Sequence, residues 1–389
     1  MKTRFDIKDE SVLEVDIVDS LMELDETVSE WDDLLIASRQ RSPMLSYAWV
    51  TSYIRHRLDD GQSWFVILAR VNSRLVGILP IVVTPKKILG INRPILSSPN
   101  DNHTLGGDIL LAENISGEVI QCIIRSVERY SPSYSVLKLS RVVGRSPTAS
   151  MWPIVSSLRS VKKLNGIGYY YPVIGDFDKY FSSFSKKHRG NIRRAFSNLD
   201  KQSPLKFSVI RDKEFNSGLF EEFIDLEASG WKGREGSAIR CSKELMGFYQ
   251  TLAEKLAGSG FLRWEFLRNE SGITLAANLS IQFGSTVTIW KLAYDEEYNK
   301  FSPGSQLFKM LLEEGYKNAD IDEFNLMSDT KWQKSWYPKV NQYSDLLIYS
   351  KSPFVFLLYC MPEKIKQAIK GNDTLLKFAR KVKGLVNRG

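Results

Sequence analysis

The chain is poor in the residues that carry metal, disulfide and histidine chemistry. Of 389 residues, three are cysteine and three are histidine. Cys122, Cys241 and Cys360 are far apart, odd in number and outside any CxxC spacing or Cys/His cluster. That pattern supports neither a disulfide framework nor a structural zinc site, and it fits a reducing compartment. No metal site is expected. Long apolar runs are also missing. The longest, near 76–83 and 354–361, fall far short of the roughly 20 residues a membrane-spanning helix needs. The first ten residues are charged and hold no apolar stretch of signal-peptide length. The expectation is a soluble or peripheral protein of the cytoplasm. A strong charge imbalance is absent too: 53 Lys and Arg stand against 45 Asp and Glu, a formal net charge of +8. Such an excess permits an anionic partner without requiring one.

What is present is the balance of a folded protein, 43% hydrophobic and 25% charged. Aromatic residues, at 12%, are read first as core, because they carry much of any core's buried area. The length exceeds what one core usually serves, so two domains are expected.

The clearest pattern runs from 261 to 294. Residues 261–268 read as a strand and Asn269-Glu270-Ser271-Gly272 as a turn. Leu275, Ala277, Leu279, Ile281 and Phe283 then alternate with Asn278, Ser280 and Gln282, as in a half-buried strand. Gly284-Ser285 is a reversal, and the β-branched and aromatic run 286–294 is a third strand. Leu307, Phe308, Leu311 and Leu312 follow at helical spacing after Ser302-Pro303, a capping residue before a proline at the first helical position. With helices near 219–231 and 242–257, residues 205–349 read β-α-α-β-β-β-α-β-α-β. The N-terminal half repeats much of this order: a strand at 12–18, helices at 19–36 and 45–57, a hairpin of 64–71 and 74–83 around Asn72-Ser73, a strand-like 107–111, a helix to 130 and a strand at 134–139. The fold class expected is α+β with mixed sheets, in two tandem copies covering 1–165 and 166–350. Residues 351–389 form a basic helical tail. There Lys364, Lys366, Lys370, Lys377, Arg380, Lys381, Lys383 and Arg388 face only Glu363 and Asp373. Packing on an acidic neighbouring surface is the plainer reading of the tail; peripheral contact with the inner membrane is the sharper one.

Ser302-Pro303-Gly304-Ser305 follows a strand and opens a helix. A helix start leaves backbone N–H groups without intrahelical partners and carries partial positive charge, so it suits phosphate. An ordinary capped helix explains the tetrapeptide equally well. The stretch 294–307, from Tyr294-Asp295 through Ser302-Pro303-Gly304-Ser305 to Leu307, closely resembles the CelD-like branch of the GNAT acyltransferases, associated with cellulose and exopolysaccharide synthesis. Other segments agree: 227–238 with Glu227, Trp231, Lys232, Gly236 and Ser237; 185–194 with Arg189, Asn191 and Arg193; and 324–336 with Asp329, Lys331 and Trp332. Trp31, Ser42-Pro43, Ser46, Trp49 and Leu75–Pro80 extend it to the N-terminal half.

The resemblance implies a tandem GNAT protein, similar in architecture to Fem-type transferases. It implies transfer of an acyl group from a thioester, acetyl- or another acyl-coenzyme A, to an amino or hydroxyl group of a sugar or glycan precursor. No tightly bound cofactor is implied. The donor would lie along Ala293, Ser302, Pro303, Gly304 and Ser305, and the acceptor in the cleft between domains. Polysaccharide-synthesis enzymes are the implied protein partners, and nucleic acid is disfavoured. The common GNAT phosphate loop has two glycine-like positions where this chain keeps Gly304 alone. A carrier-protein thioester, or aminoacyl-tRNA as in the Fem proteins, therefore stays open beside coenzyme A, as does a non-catalytic role within a polysaccharide assembly complex. Direct attack by the acceptor needs orientation, a base and an oxyanion donor. Asp295, just past the donor strand, ranks first as base, then His103, with Glu265 and Asp329 behind; Tyr294 is a candidate proton donor to the leaving thiolate. Trp231, Lys232, Ser237, Arg189, Arg193, Lys331 and Trp332 are candidate substrate contacts. The helical spacing of Lys186, Arg189 and Arg193 equally describes a solvated face.

Overall fold

The computed structural model describes residues 2–7, 11–155, 159–211 and 213–371. The chain opens with strands β1 (Lys2–Ile7) and β2 (Ser11–Val18), then helices α1 (Leu21–Asp25), α2 (Val28–Ala37) and α3 (Tyr47–His56). Ser46 starts α3 by accepting the Trp49 amide at 3.1 Å. Strands β3 (Ser63–Val71) and β4 (Arg74–Thr84) form the expected hairpin. Asn72 and Ser73 both have positive φ, 49° and 66°, which matches the twist of a two-residue hairpin turn. Short strands follow: β5 (Lys87–Ile88), β6 (Ile91–Asn92), β7 (Ile95–Ser97) and β8 (Leu110–Leu111). Helix α4 (Gly117–Tyr130), strand β9 (Val136–Val143) and helix α5 (Pro147–Val155) complete this half.

Strand β10 (Ser160–Pro172) leads into the second half, so position 165/166 falls inside a strand. Helices α6 (Phe177–Ser182) and α7 (Lys186–Asp200), strand β11 (Leu205–Ile210), and helices α8 (Ser217–Ser229), α9 (Trp231–Arg234) and α10 (Lys243–Gly258) follow. The meander is β12 (Leu262–Asn269), β13 (Thr274–Phe283) and β14 (Thr286–Tyr294). Helix α11 (Pro303–Lys317), strand β15 (Glu323–Asn325), helix α12 (Lys331–Lys334), strand β16 (Lys339–Tyr349), and helices α13 (Pro353–Val355) and α14 (Met361–Gly371) end the described chain.

One mixed sheet runs through both halves in the order β1-β2-β3-β4-β7-β9-β16-β10-β15-β14-β13-β12-β11. The last strand, β16, lies between β9 and β10 and pairs antiparallel with both. The two halves are therefore stitched by backbone hydrogen bonds, not merely packed. Helices α2, α3, α8 and α10 cover one face and share a single apolar core. Trp49 of α3 sits at its centre, fully buried, with Phe248 of α10 at 5.5 Å and Trp290 of β14 at 4.8 Å, both edge-on. Such pairs contribute about 0.5–1.5 kcal/mol each beyond burial. On the opposite face, α4 and α5 cover the first half, and α6 and α11 much of the second.

Some expected elements change. The helix over 19–36 breaks at Glu26–Thr27 into α1 and α2. The strand expected over 107–111 shrinks to β8, which pairs with β4 only at Leu110 and Leu111, while the Gly107 amide donates to the Ser140 carbonyl at 2.8 Å. In the tail, Lys364 and Lys366 lie on α14, where Lys366 pairs with Glu363 at 2.9 Å. The helix expected beyond 371, with Lys377, Arg380, Lys381, Lys383 and Arg388, lies outside the described residues. Among the described residues, no helix is long and apolar enough to cross a membrane, and no group of three metal-ligating side chains occurs.

Candidate functional site

The expected donor turn is built as a helix start without a side-chain cap. After β14, Asp295 accepts the Glu297 amide at 2.9 Å and so caps a 3₁₀ turn over Glu296–Phe301. Ser302 then adopts left-handed backbone, φ 51°, and its hydroxyl makes no capping bond. Its carbonyl instead accepts from Ser305 at 2.9 Å and Gln306 at 3.2 Å. This departs from the expectation that Ser302 caps α11 through its side chain. A serine in this region is uncommon and costs energy. The result is a 15-residue helix whose positive end opens on a cavity of about 230 Å³. Tyr294, Ser302, Pro303, Gly304, Ser305 and Trp332 line it with Leu292 and Asn299. A Cβ at Gly304 would meet Leu292 at 3.4 Å and Tyr294 at 3.7 Å, ordinary contact distances. Alanine therefore fits, whereas a large side chain would enter the cavity.

Beside this turn the sheet splays. β14 and β15 pair in parallel only from Thr286 to Thr288 against Glu323 to Asn325. Beyond that, β14 keeps its β13 partner on one side, with no strand recorded on the other. The β13–β14 register also shifts: Leu279 faces Lys291 while Ser280 faces Ile289, leaving Trp290 as an extra residue. Such a bulge re-aims side chains locally.

At the bulge the two halves bring four side chains together. His103, from the loop after β7, has Nδ1 3.0 Å from the Tyr249 hydroxyl of α10. That hydroxyl accepts from Trp290 Nε1 at 3.2 Å. Lys291 Nζ lies 3.4 Å from the same His103 nitrogen. Burial, and then the Lys291 charge, hold the His103 imidazole down at about 4. Burial, and then the nearby Lys232, lower the Lys291 ammonium to about 8. Burial pushes the Tyr249 phenol up. Asp101 pairs with Arg57 at 2.7 Å and accepts the His103 amide at 2.8 Å, fixing the loop. Next to the cluster, Lys232 pairs with Glu227 at 2.9 Å, and Glu227 also accepts the Ile239 amide at 2.9 Å. Trp231, Lys232, Ala293 and Tyr294 border a small cleft there with Glu227 and Glu296.

A third concavity, about 370 Å³, lies between the halves at the start of β14 and β15. Its walls include Arg41, Ser42, Arg141, Arg145, Thr288 and Asn325. Arg145 makes a two-pronged pair with Glu323 at 2.8 and 2.5 Å. Arg141 is pinned by the carbonyls of Leu105, Asn165 and Met327 and lies 4.4 Å over the Tyr343 ring. Arg41, Arg141 and Met327, all on its walls, have positive φ. Strained backbone of this kind clusters at functional sites.

Other expected site residues are placed elsewhere. Glu265 is fully buried, bonded to Arg263 at 2.6 Å and to the Ser280 hydroxyl at 2.6 Å. Both of its carboxylate oxygens are thus engaged inside the sheet. Arg189 donates to the carbonyls of Ser182 and Phe184 and so ties the end of α6 to α7. Arg193 lies 5.6 Å over the Phe181 ring. Asp329, Lys331 and Ser237 are exposed; the Ser237 hydroxyl donates to the Lys232 carbonyl at 3.4 Å. Lys291, Tyr249 and the arginine-walled cavity were not anticipated. The one local signal was a lysine inside the otherwise apolar run Thr288–Ala293.

The splayed sheet and the uncapped helix at its mouth both lie in the second half of the chain. Residues 186–334 match the family model described as an acetyltransferase (GNAT) domain. No curated protein matches the sequence. Among solved structures the fold is similar to FemX, at 12% identity and a TM-score of 0.59, covering 85% of this chain and 98% of that one. It is also similar to the C-terminal domain of a protein described as a putative lysylphosphatidylglycerol synthetase from Agrobacterium fabrum, at 11% identity and a TM-score of 0.52, covering 86% and 94%. A conserved protein of unknown function from Bacteroides thetaiotaomicron, at 12% identity and a TM-score of 0.50, covers 90% and 100%. At such identities the likeness is one of fold.

Proposed function

We propose that the chain transfers an acyl group from acyl-coenzyme A to an amino or hydroxyl group of a sugar or glycan precursor of a bacterial surface polysaccharide. The observation that carries this reading is the cavity at the uncapped start of α11, beside the free edge of β14. Phosphate groups of the donor meet the Gly304 and Ser305 end of the helix, where the macrodipole favours negative charge. Amides of the donor arm pair with the open edge of β14, from Ile289 toward Tyr294. The thioester then emerges at the bulge, on the face where His103, Trp290 and Lys291 meet the first half. The acceptor enters from the cavity between the halves, whose hydroxyl, amide and charged walls suit a polar ligand. Its nucleophile attacks the thioester carbonyl directly. Holding both partners in place supplies much of the rate gain. In this reading the Tyr294 hydroxyl gives a proton to the leaving thiolate. The two tandem units over 1–165 and 166–350 then divide the work, the second holding the donor and both shaping the acceptor site.

A second reading, transfer from aminoacyl-tRNA, draws support from the exposed basic face of α7, with Lys186, Lys187, Arg193 and Arg194. Binding to charged tRNA that weakens steeply with salt supports that reading. Mass spectrometry of surface polysaccharide from cells with and without the protein tests the acceptor. The proposal expects an acyl substituent that disappears with the protein; an identical glycan in both contradicts it.

A further inference from the structure

We propose that Lys291 is the general base of acyl transfer: its amine, not the Asp295 carboxylate or the His103 ring, takes the acceptor's proton. The inference rests on the donor reading above. Asp295 is engaged as the cap of the 3₁₀ turn that follows β14. The His103 Nδ1 faces both the Tyr249 hydroxyl and the Lys291 amine, so its one acceptor position is already contested. Lys291 differs from both. It stands at the β14 bulge, where the donor strand loses its β15 neighbour, and among the described ion pairs none involves it.

Its surroundings disfavour charge. Burial is the main cause; the Tyr249 ring at 5.5 Å and the Trp290 ring at 5.8 Å lie at cation–π range and act the other way, favouring the ammonium. Lys232, beyond α8, adds repulsion; Glu227 and Asp101 oppose it, but each is already paired, with Lys232 and Arg57 respectively. The remaining neighbour, His103, is neutral at ordinary pH. An amine held this way is substantially unprotonated near pH 8 and carries a lone pair to use. As the acceptor's oxygen or nitrogen bonds to the thioester carbon, its proton passes to Lys291. The C–S bond then breaks, the thiolate leaves with the electron pair and takes the Tyr294 proton, and the proton held on Lys291 passes to solvent, from which Tyr294 is restored. Protons and electrons balance without any further reactant. Tyr249 and His103 act as positioning residues, holding the amine at the bulge.

Competitive labelling tests this on the full-length protein. Trace acetic anhydride is applied from pH 6 to 11, and peptides carrying Lys291, and the exposed Lys300 and Lys331 as references, are read by mass spectrometry. The expected result is a Lys291 reactivity that rises through about pH 8, at least about tenfold above that of the reference peptides there. In parallel, thiol release from acetyl-coenzyme A is followed with glucosamine as probe acceptor. Lys291→Met is expected to lose at least about a hundredfold in turnover, and Lys291→Arg a similar amount, with donor binding unchanged by calorimetry. Lys291 reactivity that tracks the references, or turnover that survives Lys291→Met, overturns the proposal. Failure of the wild-type protein to bind coenzyme A instead removes the donor reading, while the labelling still decides the state of Lys291.

Discussion

Replacing Glu265 separates structural from catalytic carboxylates in this chain. Arg263 and Glu265 are sealed in the sheet, with side chains 1% and 0% exposed, and Arg263 also reaches Glu314 at 2.8 Å. Glu265→Ala leaves the guanidinium buried with only the half-buried Glu314 and the Gln282 amide, at 3.3 Å, as partners. Breaking a buried pair in this way costs about 3–5 kcal/mol. A chain of this length unfolding as one unit has a melting entropy on the order of 0.8 kcal/mol/K, so the melting temperature is expected to fall by roughly 4–6 °C. Urea denaturation at pH 7 gives the free energy directly. The double variant Arg263→Met with Glu265→Leu is expected to recover most of the loss, because the partners leave together and Glu314 turns to water. A single variant of unchanged stability that nevertheless abolishes thiol release would refute the structural assignment and return Glu265 to the chemistry.

Two further expectations follow from the same geometry. Gly304→Ala meets only ordinary contacts near the start of α11 and removes a helical glycine, so it is expected to stabilise the protein by up to about 1 kcal/mol in urea denaturation while acetyl-coenzyme A binding persists. His103 is held below its unfolded value of 6.5, at about 4, so the unfolded state binds more protons between those values and stability is lost as pH falls through that window. The full shift corresponds to about 3 kcal/mol, and partial exposure reduces that to about 2; His103→Gln is expected to lose that slope between pH 7 and 4, as read by denaturation at each pH.

Much of the local architecture was legible in the sequence. Alternation over Leu275–Phe283 placed a strand because one face is polar; the expected half-burial is overturned, since Asn278, Ser280 and Gln282 of that face are buried against Arg263 and Glu265 of β12. Asn72-Ser73 and Gly284-Ser285 marked the reversals they form. The Ser302–Ser305 turn and Trp332, read from the sequence as donor and acceptor contacts respectively, line one cavity. The insertion of β16 between β9 and β10 was not legible, since strand order depends on pairings some 200 residues apart. The same limit hid the His103–Lys291 contact, 188 residues apart in the chain. The burial of Glu265 was hidden for a different reason: a carboxylate on a strand looks available until Arg263, two residues away, is seen to turn inward with it. Asp295 is a milder case, since a carboxylate just past a strand is also a good cap for the turn that follows.

The claim that α11 and β14 form an acyl-thioester site is tested most directly by titration calorimetry with acetyl-coenzyme A, on the native protein and on Gly304→Trp. The structure predicts saturable binding by the native chain. It predicts at least about a hundredfold weaker binding, about 2.7 kcal/mol, once an indole occupies the cavity beside Tyr294 and Trp332, with circular dichroism unchanged. No binding by the native protein, or equal binding by both, would contradict it.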